Sequence, residues 1–240
     1  MEITLVLLVI LLAFMVRATF GFGDALVGMP LLALTVGIRT AAPLMALLAL
    51  VIALLIFLRY RQWVDFSISW KLIVAALAGV PVGLLYLTRF DEALINLILG
   101  VIVVVFALSR WRGWKPQGKV TGAITWITGF FSGILGAAYN TNGPPVIMLL
   151  SAGDLEPKVF RATLQSYFFF TGLGVVAGHI AWGNVDRGVF EYFLAGLPVV
   201  LLSYFLGDRI FVRLKAGRFY GWVYAVLLVL GCSLIAKSLM

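Results

Sequence analysis

"YNTNGPP", residues 139–145, combines four hydrogen-bonding side chains, a glycine and two prolines inside a stretch with no charged residue from Val120 to Gly153. Hydropathy places such a stretch in lipid, yet these seven residues interrupt any helix there. Non-helical backbone at membrane depth survives only where protein or a water-filled cavity satisfies its N–H and C=O groups. The knot therefore implies a buried, polar break in a membrane segment.

The composition agrees with a membrane setting. Of 240 residues, 63% are hydrophobic and 12% charged, with a mean hydropathy of +1.10. A soluble domain carries about 25% charged residues. The net charge of +8 raises the option of nucleic acid. However, Lys and Arg lie in short clusters between apolar runs, as in loops at an anionic leaflet, so nucleic acid is not an expected partner. The single cysteine, Cys232, excludes an intrachain disulfide framework. The chain opens "MEITLVLLVI" without the basic start of a signal peptide, so this segment is expected to be mature membrane sequence.

Charge-free windows at 40–58, 72–88, 93–109, 162–185, 192–207 and 219–236 each suit one spanning helix of roughly 17–25 residues. Trp63, Trp70, Trp111, Trp114 and Trp182 fall at or just beyond their ends, as an interfacial belt requires. Two regions do not fit. Residues 3–38 hold only Arg17 and Asp24 as charges, and 120–153 hold none. Each is too long for one span, too short for two, and interrupted near its middle, by "FGFGD" (20–24) or by "YNTNGPP".

The interruptions correspond. At an offset of 115, Gly21 falls on Gly136, Gly28 on Gly143 and Pro30 on Pro145, while "AGVPV" (78–82) matches "AGLPV" (195–199). The chain reads as two repeats, roughly 1–112 and 118–240, joined by a basic linker at 113–119 within "RWRGWKPQGK" (110–119). If each broken segment crosses once, loop Lys and Arg divide nine against eight. If each is a re-entrant hairpin, they divide thirteen against four, the four being Arg39, Arg89, Arg187 and Lys237. The positive-inside rule favours the hairpins. Residues 117 and 154 are then both cytoplasmic, and the termini lie outside. The expected fold is an all-α polytopic membrane protein of two inverted repeats, each a broken or re-entrant pair plus three transmembrane helices.

Pro144 suits a first helical turn, where its missing N–H costs nothing, and Asn142 can cap it. The second leg of the second hairpin is expected to start near residue 143, and that of the first between Asp24 and Gly28. Two helix N-termini then face mid-bilayer, each with free N–H groups and partial positive charge. Such a pair suits an anion, and Gly/Pro-interrupted segments at matching positions of two halves mark a secondary transporter's site.

Several segments carry a family resemblance. "GMPLL" (28–32), "RYRQWVDFSISWKLI" (59–73), "GVPVGLLY" (79–86) and "GNVDRGVFEYFLAGLPVVLLSYFLGDRIFVRL" (183–214) resemble the sulfite exporter TauE/SafE family over nearly the whole chain. The resemblance implies a multi-pass permease of the bacterial inner membrane, associated with sulfite and organosulfonates. It implies anion transport without specifying the anion. The chain departs from the usual glycine cluster with "GFGDA" (21–25) and "GAAYNTNG" (136–143).

The candidate substrate-binding residues are Arg17, Gly21, Gly23, Asp24, Gly28, Asn140, Thr141, Asn142, Gly143 and Gln165. Asn140, Thr141 and Asn142 are either ligand donors or fillers of a buried turn. Asp24 either titrates a coupling proton or caps the second leg, and capping is preferred. Arg17 neutralises the anion, pairs with Asp24 or snorkels. Arg161 is read as an interfacial anchor, His179 as an interface residue, and Tyr139 and the Phe168–Phe170 run as packing. Ser132 in "GFFSG" (129–133) with His179 superficially offers protease chemistry, but glycine-rich helix packing explains the serine, and no enzyme is expected. No cofactor or metal is expected, because one His and one Cys make no ligand cluster. The alternative to a permease is an anion channel built from the same hairpins. Expected partners are a small anion and the bilayer, with a homodimer left open.

Overall fold

A computed structural model describes residues 2–113, 122–151, 155–211, 228–229, 231–236 and 238–239. The anticipated span 219–236 lies mostly outside them, as do most of the linker and positions 117 and 154. Every regular element among the described residues is helical. These are α1 (Glu2–Phe20), α2 (Asp24–Thr35), α3 (Ile38–Tyr60), α4 (Phe66–Arg89), α5 (Glu92–Trp111), α6 (Gly122–Tyr139), α7 (Gly143–Ser151), α8 (Pro157–Ala181) and α9 (Arg187–Phe211), with a 3-10 turn at Arg61–Trp63. Among the described residues, seven helices are long and apolar enough to cross a membrane: all of these except α2 and α7.

The two breaks fall inside the two odd regions, but the legs are unequal. The first region divides into 19 and 12 residues and the second into 18 and 9. At about 1.5 Å per residue, each first leg is as long as a bilayer core is thick and each second leg reaches only partway. Charge-free windows could not show this, because α2 stops at Thr35 ahead of Gly37, whose φ of +79° turns the chain into α3. The window 162–185 likewise overruns its helix, which ends at Ala181 before Gly183 at φ +72°.

Helix starts follow a different spacing from the offset of 115 read from the glycines. Asp24 and Gly143 open α2 and α7, 119 positions apart, and Ile38 and Pro157 open α3 and α8, again 119 apart. The offset of 115 matched Gly28, a packing glycine, to Gly143, a helix-initiating one. A Cβ on Gly28 would meet Met45 Cε at 2.8 Å and Ala13 Cβ at 3.1 Å.

Packing follows the glycines. α6 lies against α4 through Gly129 and Gly133, whose added Cβ atoms would strike the Leu72 and Ala76 carbonyls. Gly79 and Gly83 of α4 meet the Phe130 and Ile134 carbonyls in return. Two small residues four apart on each helix allow this backbone approach. α1 packs on α9 in the same manner, with Gly207 against Ala18 and Thr19. α3 and α8 pack on each other, α3 also touching α2 and α9, and α8 also touching α4 and α7.

Candidate functional site

The breaks are built from residues that tolerate left-handed backbone. Gly21 and Gly23 stand at φ +83° and +101°, and Asn140 at φ +51°. Gly21 N–H closes the last turn of α1 on the Arg17 carbonyl at 2.6 Å. Gly23 precedes α2 without any side-chain cap. Asn is the residue other than glycine that most readily enters this region, since its short amide bonds locally. The chain then restarts as α2 at Asp24 and as α7 at Gly143.

The two restarts face one another. Phe22, Gly23, Asp24, Ala25 and Leu26 line one side of a small cavity, Asn140 to Pro144 line the other, and Phe168 of α8 closes it. A second small cavity beside it is lined by Arg17, Asn140, Asn142, Phe168, Gly172 and residues of α3. Each has room for roughly one water molecule.

Asp24 does not cap. It occupies the first helical position of α2, and its Oδ2 accepts from Arg17 Nη1 at 2.6 Å, both side chains about 5% exposed. The reason is geometric: the left-handed glycines fold α2 back so that a carboxylate seven residues on meets the guanidinium of α1. Arg17 Nη2 reaches Gln165 Oε1 at 3.5 Å, and its guanidinium lies over the Phe168 ring, 4.8 Å from the centroid. Arg17 Nε has no acceptor among the described residues, nor does Nδ2 of Asn140. Buried donors normally find partners, so these two orphans mark where an acceptor belongs.

α8 serves both breaks. Gln165 Nε2 donates to the Gly21 carbonyl and Arg161 Nη2 to the Ala18 carbonyl at 3.2 Å. Arg161 is thus buried against α1 and over Tyr60, not an interfacial anchor. Its place one turn before Gln165 puts both on the face that meets the break. At the second break, Ser132 Oγ donates to the Asn142 carbonyl, and Tyr167 OH donates to Ser132 Oγ at 2.8 Å. Asn142 Nδ2 approaches Thr171 Oγ1 at 3.5 Å, and Thr141 Oγ1 turns back to the Tyr139 carbonyl at 2.9 Å. Ser132 is a support of the break as well as a packing residue.

Of the sequence-derived candidates, Gly23, Asp24, Asn140, Thr141, Asn142 and Gly143 line the cavity between the breaks, and Arg17 lines its neighbour. Gly21 and Gln165 stand behind them as supports. Gly28 lines neither cavity. His179, expected at an interface, is buried and hydrogen-bonded through Nδ1 to Asn184 at 3.2 Å. Phe168, Tyr167 and Thr171 were absent from the candidate set. Phe168 and Thr171 continue the series from Arg161 and Gln165 along α8 at three- and four-residue steps, and Tyr167 lies one turn before Thr171, which is the signal that could have found them.

Comparison with known proteins identifies a family. The family model described as "Sulfite exporter TauE/SafE" matches residues 6–234. The chain is 28% identical over 181 residues to a protein of Cupriavidus necator named "Probable sulfite/organosulfonate exporter TauE", covering 72% of this chain and 70% of that one. It is 27% identical over 165 residues to a Comamonas testosteroni protein named "Probable inner membrane transporter protein TsaS", covering 64% of each. No solved structure matches the chain.

Proposed function

The chain belongs to the sulfite exporter TauE/SafE family, and from that premise we propose that it is a secondary transporter for a small anion, sited between its two helix breaks. The family description is that of a transporter, not an enzyme, and the described helices suit a multi-pass protein. Following the two relatives' names, the substrate class is sulfite, an organosulfonate or a related small oxyanion or carboxylate. The location is the bacterial inner membrane.

The observation that carries the reading is the pair of orphan donors. Arg17 Nε and Asn140 Nδ2 are buried without acceptors at two adjoining cavities, where α2 and α7 present their N-termini. An oxyanion supplies several acceptor lone pairs and the negative charge that both a guanidinium and helix N-termini favour.

Two repeats of opposite orientation, moving relative to one another, are the transport unit in this reading. Its support is the reciprocity of packing: α1 on α9 mirrors α6 on α4, and α3 on α9 mirrors α8 on α4. Room for about one water is too little for sulfite, so binding requires the breaks to separate, as alternating access entails. A channel needs a continuous path instead, and single-channel recording distinguishes the two.

A thermal-shift screen of the purified protein against sulfite, short sulfonates and carboxylates tests the reading. A ligand bound only by the folded state raises the melting temperature. Absence of any shift or flux with all three classes overturns it.

A further inference from the structure

The Arg17–Asp24 ion pair joins the two cavities. Asp24 lines one and Arg17 the other, while Asn140, Asn142 and Phe168 line both. Resting on the anion-site reading above, we propose that Asp24 is a built-in stand-in for the substrate, and that an anion displaces it from Arg17 only as Asp24 takes up a proton.

The argument is one of charge. Arg17 is committed through Nη1 to Asp24, and its Nε is unused. An oxyanion seated against Nε lies on the same guanidinium as the carboxylate. Two anions held by the same guanidinium are costly, because each charge must be compensated where water is scarce. Protonation removes the conflict. One proton passes from water to a carboxylate oxygen of Asp24, no other bond changes, and Arg17 is left to the anion. The neutral acid gains an O–H that can itself donate to the ligand. For a monoanion the summed charge of the site is the same before and after, so proton and anion travel together without net charge.

Few other charged groups approach Asp24. α1 contributes Arg17, already its partner. α8 contributes Arg161, which bonds the Ala18 carbonyl. α3 buries only apolar side chains, and α7 carries no titratable residue. Glu92 at the start of α5 accepts from Ile38 N–H, beyond the far end of α2.

Two probes test this: sulfite, and methanesulfonate as an anion whose charge does not vary near neutral pH. Adding a bound probe to wild-type protein in weakly buffered detergent solution should consume one proton per methanesulfonate bound, read with a pH indicator. Its apparent Kd should then weaken about tenfold per pH unit where the free protein holds the ion pair. In Asp24→Asn that slope should flatten and proton uptake vanish, with tighter binding than wild type at high pH, since the competitor is gone. Asp24→Glu should restore the slope. Proton-free binding by wild type, or an unchanged slope in Asp24→Asn, sinks the proposal while leaving the anion site standing. Failure of wild type to bind either probe removes the site itself, and the proposal with it.

Discussion

Gln165 donates through Nε2 to the carbonyl of Gly21, 144 positions earlier, while its Oε1 faces Arg17 Nη2. A single fully buried amide thus ties the first break to α8 and orients the guanidinium beside it. Because Gly21 stands at φ +83°, no continuing helix N–H serves its carbonyl. Gln165→Leu should therefore leave a buried acceptor unpaired and cost about 1–3 kcal/mol. The measurement is thermal or denaturant unfolding in detergent. Anion affinity should fall in parallel, as Arg17 loses an orienting partner.

Asn140 has two separable roles, and substitution divides them. Its φ of +51° suits glycine, so Asn140→Gly should fold normally and lose only the Nδ2 donor. A hydrogen bond to a charged group contributes about 1.5–3 kcal/mol, so anion affinity should weaken roughly tenfold to a hundredfold. Asn140→Val should instead destabilise the fold itself, since a β-branched residue resists left-handed backbone. Equal affinities for wild type and Asn140→Gly would show that the amide is a turn-former only.

How far these breaks are legible in the sequence depends on the residue. Glycine and proline marked where the chain must leave the helix, because their backbone requirements are local. That is why Gly23, Asp24, Asn142 and Gly143 were found at the cavity. The role of Asp24 was not local. Capping needs only the next two or three residues, whereas pairing with Arg17 depends on how Gly21 and Gly23 turn the intervening chain. Gly28 lines neither cavity for a related reason. A glycine that admits Met45 looks, in sequence, like one that admits a ligand. The supports from α8 were legible as a periodic face, but nothing in a helix pattern says which break that face will meet.

The α4–α6 contact gives a packing test with an internal control. A side chain at Gly133 must enter the Ala76 backbone, whereas Gly122 on the same helix has nothing within 4 Å of its missing Cβ. Overpacking of this kind costs about 1–3 kcal/mol, and more where backbone cannot yield. Gly133→Val should lower the melting temperature by several degrees or abolish a monodisperse peak on size-exclusion chromatography. Gly122→Ala should leave both unchanged. Equal tolerance at the two positions would contradict the close helix approach.

Topology distinguishes hairpins from single crossings, and it matters because α1 and α6 are each long enough to cross alone. Gly113 follows α5 and Glu156 precedes α8, both exposed and flanking the second broken segment. If α6 and α7 leave and return on one face, cysteines at 113 and 156 react from the same side, and the loop Lys and Arg counts make that side cytoplasmic. If the segment crosses once, the two react from opposite sides. The substitutions Gly113→Cys and Glu156→Cys belong in a background lacking Cys232, which is itself exposed. The expected result is protection of both from an impermeant maleimide in intact cells and labelling of both after permeabilisation. Labelling of one from outside and the other only from inside would remove the inverted arrangement, because each repeat would then cross an even number of times and both would face the same way.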